Sequence, residues 1–124
     1  MNKQDQSIHS EATVSVSVSD LQALIAGSAP LIVDVRRKEA RATSGRDMPG
    51  AIWRDPEHWL QWKDDIASRG IPLVLACAHG QEISQGLTTV MRVMGADARF
   101  LEGGIAAWIE AGGATVAAGT ANTD

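Results

Sequence analysis

The stretch Leu73-Val74-Leu75-Ala76-Cys77-Ala78-His79-Gly80-Gln81-Glu82-Ile83-Ser84 is an apolar run that breaks into a polar, glycine-containing turn at the chain's only cysteine. Its first four residues read as a buried strand ending at Cys77. After Gly80, the apolar residues Ile83, Leu87, Val90, Met91 and Met94 recur at helical spacing and predict a helix. A thiol between a strand end and a helix start faces backbone N–H groups that lack helical partners, and the positive end of the helix dipole. That setting favours the thiolate, the nucleophilic form of the side chain. The competing reading is a core cysteine, since a free thiol behaves as a small hydrophobe and Cys77 follows four apolar residues. The polar segment after it weighs towards chemistry, because packing alone has no use for Ala-His-Gly-Gln-Glu.

Outward from this stretch, strands and helices alternate. Val14, Val16 and Val18 alternate with serines and predict a half-exposed edge strand. Ser19-Asp20-Leu21-Gln22 fits a capping box with Ser19 as the cap, followed by a buried stripe of Leu21, Leu24 and Ile25. Leu31-Ile32-Val33, ending at Asp34, suits an interior strand buried on both faces. Met48-Pro49-Gly50-Ala51-Ile52-Trp53 reads as a turn into a brief strand, and Trp59 and Trp62 share one helical face. Gly95 is placed to end the helix that follows Cys77. Arg99-Phe100-Leu101 is a further strand, and Gly103-Gly104 opens a helix that turns Ile105, Trp108 and Ile109 inward and stops at Gly112-Gly113. Such alternation predicts an α/β fold with a central, mostly parallel sheet and helices on both faces. Ligands of such sheets bind beyond the carboxyl ends of the strands, where Cys77 lies. Residues 1–12 and 117–124 lack periodicity and are expected as flexible tails around one domain over 13–116.

Composition narrows the classes. The chain has 124 residues, enough for one core without staples. One cysteine excludes an intrachain disulfide framework and a cysteine-based zinc site. A net charge of −4 without a basic block argues against nucleic acid as the partner. No apolar run approaches the ~20 residues of a membrane helix, and the polar start Met1-Asn2-Lys3-Gln4-Asp5-Gln6-Ser7 has no signal-peptide core. With a free thiol, this predicts a cytoplasmic protein, expected as a monomer. His9 and His58 have no carboxylate or cysteine cluster at ligand spacing, so no metal is expected.

Several segments together resemble one family. Asp34-Val35-Arg36-Arg37-Lys38-Glu39 is similar to the D-V-R-x-x-E segment of rhodanese-like domains, and Pro49-Gly50-Ala51 to the core of their G-H-I-P-G-A segment. Leu101-Glu102-Gly103-Gly104-Ile105-Ala106-Ala107-Trp108 resembles the closing L-x-G-G-x-x-x-W motif, and Cys77 falls where the family carries its catalytic cysteine. The resemblance spans about residues 13–116 and implies the same α/β fold. It implies sulfur transfer: the cysteine takes sulfane sulfur from a small donor, becomes a persulfide, and passes it to cyanide, a thiol or a protein partner, with no cofactor. In this reading Cys77 is catalytic, and Ala78, His79, Gly80, Gln81, Glu82 and Ile83 form the anion cradle, with His79 as a loop donor or acid. Asp34 and Arg36 are a supporting hydrogen-bond pair, and Trp53 is a candidate pocket residue.

The six residues from Cys77 to Glu82 match the loop length of sulfurtransferases. The related dual-specificity phosphatases use a loop one residue longer that ends in arginine; here that position is Ile83, which disfavours phosphate chemistry. Ala78 and Glu82 stand where active rhodaneses often place cations, and Arg46 and Asp47 replace the first Gly-His of the G-H-I-P-G-A segment. Thiosulfate is therefore expected to be a poor donor. Glu82 either faces the sulfur or points along its helix's first turn; the sequence leaves both open. The rival readings are a non-catalytic rhodanese-like binding module and an arsenate- or chromate-type oxyanion detoxification factor.

Overall fold

The computed structural model describes residues 14–119. The expected tail over 1–12 lies outside the described residues, as do 120–124. The elements are β1 (Ser15–Val16), α1 (Val18–Gly27), β2 (Leu31–Asp34), α2 (Lys38–Ser44), β3 (Arg46–Asp47), β4 (Ile52–Trp53), a 3-10 turn (Pro56–His58), α3 (Trp59–Ala67), β5 (Leu73–Ala76), α4 (Glu82–Val93), β6 (Ala98–Leu101), α5 (Gly104–Glu110) and β7 (Val116–Ala117). Five strands form one sheet in the order β1-β6-β5-β2-β4, and every pairing in it is parallel. The α/β architecture expected from the alternation is the observed one.

The period of two along the central strands divides the core into two layers. Ile32 on β2 and Val74 and Ala76 on β5 pack with Leu21, Leu101, Ile105 and Trp108, the layer under α1 and α5. Val33 on β2 and Leu73 and Leu75 on β5 pack with Trp62, Ile66, Leu87 and Met91, the layer under α3 and α4. Cys77 continues the second set, so its side chain belongs to the face that α4 covers. Trp59 and Trp62 both join this layer, as their spacing predicted.

Three local expectations need correction. The helix cap is Ser17, not Ser19: the Ser17 hydroxyl accepts the Asp20 N–H at 3.0 Å, and Val18 opens α1 rather than closing β1. The strand ends at Val16 because Val18, in the first helical turn, reaches the core from there. Ile25 and Met94, assigned inward by spacing, are 42% and 36% exposed; α1 buries only Leu21 fully, and α4 stops at Val93. The boundary drawn at 116 falls inside β7, which pairs antiparallel with β3: Arg46 opposes Ala117 and Asp47 opposes Val116. Beyond it, the Gly119 N–H donates to Asp47 Oδ2 at 3.0 Å.

Candidate active site

At the carboxyl edge of the sheet, β5 hands Cys77 to the turn that starts α4. The cysteine is 5% exposed and lines a cavity of about 380 Å³ together with Arg36, Arg37, Ala40, Ala78 and His79. Gln81, Glu82 and Ile83 complete that wall, so Glu82 stands at the cavity that holds the sulfur as well as in the first turn of α4. His79 and Glu82 are both exposed. Trp53 is not among the lining residues; its indole N–H donates to the Arg36 carbonyl at 2.8 Å and thereby fixes the Arg36 backbone.

The turn is held by its carbonyls. The Ile105 and Ala106 N–H groups, in the first turn of α5, donate to the carbonyls of Cys77 and Ala78 at 2.9 and 3.0 Å. Gln85 Nε2 donates to the Gly80 carbonyl at 3.0 Å. Outside the sheet and helix ladders, no backbone N–H of residues 78–83 donates to a backbone carbonyl among the described residues. A run of N–H groups without protein acceptors is an anion-binding concavity.

This docking of α5 requires glycine at the motif positions. A Cβ on Gly104, at φ +66°, would meet the Cys77 carbonyl and stand 2.5 Å from the Gly80 nitrogen. A Cβ on Gly80, at φ +71°, would stand 2.6 to 2.8 Å from the Leu101–Gly104 backbone. Read alone, Gly103-Gly104 is a helix start. In the fold it is also the contact that shapes the cysteine turn, a role sequence spacing does not reveal.

Two groups near the site escaped the sequence reading. The hydroxyl of Ser84, fully buried on α4, lies 3.0 Å from Cys77 Sγ. Against a thiol either group can donate, but a thiolate or persulfide has no proton, so the hydroxyl must then donate to sulfur. The second is an ion cluster. Arg36 Nε and Nη2 donate to Asp34 at 3.0 and 2.6 Å, and Nη2 also reaches Asp47 Oδ1 at 2.8 Å. Arg41 donates to the same Asp47 from Nε and Nη2, at 3.1 and 2.7 Å, and stacks 5.0 Å over the Trp53 ring. The hydrogen bond to Asp47 is the main cause that raises the Arg41 pKa above its ordinary value, against the opposing effect of burial. Two carboxylates and two guanidiniums balance, as buried charges must. Thus Asp34 and Arg36 form the pair proposed from sequence, extended by Asp47 and Arg41. The signal available beforehand was Asp47, a carboxylate where the resembling segment carries histidine.

The family model described as a rhodanese-like domain matches residues 17–111. The chain belongs to the rhodanese-like domain family. No curated protein matches the sequence. Among solved structures, a rhodanese-related protein from Thermoplasma volcanium is 28% identical, with 82% of this chain and 96% of that one covered at a TM-score of 0.69. A thiosulfate sulfurtransferase from Pseudomonas aeruginosa shares the fold at 19% identity and a TM-score of 0.71, over 87% of this chain and 20% of that one. So does a Rhodopseudomonas palustris protein of unknown function described as a possible tyrosine phosphatase, at 24% identity and 0.74, over 86% and 87% of the two chains. Within the rhodanese-like domain the described residues contain no group of three or more His, Cys, Asp or Glu able to hold a metal ion. None of their helices is long and apolar enough to cross a membrane.

Proposed function

We propose that the protein is a sulfurtransferase in which Cys77 carries sulfane sulfur as a persulfide and passes it to a thiophilic acceptor. The observation that supports this most is the surroundings of the sulfur. Cys77 directly follows the central strand beside a cavity, at the start of a turn whose N–H groups lack backbone acceptors among the described residues, with the Ser84 hydroxyl at hydrogen-bond distance. A persulfide is an anion, and preorganised donors in a water-poor site stabilise it without a metal. With thiosulfate, the Cys77 thiolate attacks the outer sulfur; the donor's S–S bond breaks, and sulfite leaves with the bonding pair. Cyanide or a thiolate then attacks the terminal sulfur, and the electron pair of the cleaved S–S bond returns to Cys77. Each transfer returns Cys77 as the free thiolate, a form that a reducing compartment such as the cytoplasm preserves.

Exposure to thiosulfate should add one sulfur atom to the intact mass, and cyanide should remove it. A chain that never gains sulfur from any of several sulfane donors would favour a second reading, a non-catalytic binding module. The burial of Cys77 is the observation on that side.

Two variants probe the proposed chemistry. Ser84→Ala removes a donor to the charged sulfur, a bond worth about 1.5–3 kcal/mol. Thiocyanate formation should fall about 10- to 100-fold in kcat/KM while the melting temperature changes little. Glu82→Arg exchanges a carboxylate for a cation at the cavity that receives the donor. Because the side chain is exposed, solvent screening limits the gain for thiosulfate to about two- to fivefold in kcat/KM, shrinking with salt. An unchanged rate would mean that Glu82 serves only the first turn of α4.

A further inference from the structure

Next to the cysteine cavity lies a larger groove of about 790 Å³, between α2, the cysteine turn and α5. Its accessible apolar lining comes from Ala40, Ala78, Ala106 and Ile109 over the buried Ile105, and its carboxylates are Glu39 on α2 and Glu110 at the end of α5. Arg36, Ala40, Ala78 and His79 border both spaces, so the groove leads to the sulfur. Arg36 is the one Lys or Arg among the groove's lining residues, and its guanidinium is already paired with Asp34 and Asp47. Glu39 and Glu110 have no ion-pair partner among the described residues, so the groove offers apolar surface and negative charge, on a chain whose net charge is −4.

Resting on the sulfurtransferase reading, we propose that this groove docks the sulfur acceptor, and that the acceptor is a protein segment presenting a cysteine beside apolar and cationic residues. The apolar side chain seats on Ala40, Ala106 and Ile109, the lysine or arginine meets Glu39 or Glu110, and the cysteine reaches the Cys77 persulfide past Ala78 and His79. The acceptor thiolate attacks the terminal sulfur of Cys77. A new S–S bond forms on the acceptor, the S–S bond to Cys77 breaks, and its electron pair restores the Cys77 thiolate. Glu39 and Glu110 repel small anionic acceptors, whereas opposite charge steers a basic segment into the groove.

The test separates docking from chemistry. Binding of a short Leu-Ser-Lys peptide, the serine replacing the reactive cysteine, is measured against its Leu-Ser-Glu counterpart by fluorescence anisotropy. No persulfide is needed, so this arm stands even if sulfur loading fails. The lysine peptide should bind about 3- to 10-fold more tightly at low salt, as one exposed attraction set against one exposed repulsion allows. Glu39→Lys with Glu110→Lys should reverse the preference, and Asp64→Lys, far from the groove on α3, should leave it unchanged. With sulfur loaded on Cys77, the corresponding cysteine peptides should accept it in the same order of preference. Equal binding of the two peptides, or a preference that survives the double charge reversal, overturns the proposal. Self-association of the protein that the double variant abolishes would give the groove to a second copy and overturn it as well.

Discussion

Cys77→Ser is expected to lose all sulfur transfer, at least about 10³-fold in rate, while the fold stays intact. A hydroxyl cannot form a persulfide, and no other cysteine exists in the chain to replace it. The substitution is nearly isosteric, and the side chain already neighbours the Ser84 hydroxyl, so the buried polar atom keeps a hydrogen-bond partner at 3.0 Å. Circular dichroism and the melting temperature should stay close to those of the parent chain. Thiocyanate production from thiosulfate and cyanide, measured beside them, should be at background. Residual turnover in the serine variant would mean that sulfur passes through the cavity without a covalent carrier.

The largest stability effect is expected at Gly104. Alanine there must hold φ near +66° and drive its Cβ into the Cys77 carbonyl and the Gly80 nitrogen, both of them backbone atoms that cannot rotate away. Left-handed conformation and overpacking together put the cost on the order of 2–5 kcal/mol. For a domain of this size that lowers the melting temperature by on the order of 10 °C or more. Any folded fraction should have a displaced cysteine turn, because α5 donates its Ile105 and Ala106 N–H groups to that turn. Gly86→Ala supplies the contrast. Gly86 lies inside α4 with nothing within 4 Å of a built Cβ, so alanine there should stabilise by about 1 kcal/mol through helix propensity. Equal effects of the two substitutions would show that α5 does not press on the turn as described.

The sheet was legible from sequence because its central strands are buried on both faces. Leu31 to Val33 and Leu73 to Ala76 are continuous apolar runs, each ending where chemistry begins, and a run of that kind has few other uses. The site was legible only along the chain. Cys77 and its turn are contiguous, and Asp34 and Arg36 are two residues apart. What stayed hidden depends on residues brought together by folding. Ser84 reaches the sulfur because one turn of helix returns it over β5. Asp47 meets Arg36 and Arg41 because β3 pairs with β7 beside them. Strands of two residues, as β3 and β7 are, carry no period to recognise. The Ser17 cap was displaced for a related reason: Ser17 and Ser19 present the same chemistry, and only the place where Val18 meets the core decides between them.

The central claim is that sulfur rests covalently on Cys77 between donor and acceptor. Its most direct measurement is a single turnover on protein freed of excess donor after exposure to thiosulfate. The peptide containing Cys77 is weighed before and after cyanide, and thiocyanate is counted. The account predicts one added sulfur on that peptide, lost on cyanide treatment with one thiocyanate released per loaded chain. Thiocyanate formed by a chain that never holds sulfur on Cys77 would contradict it.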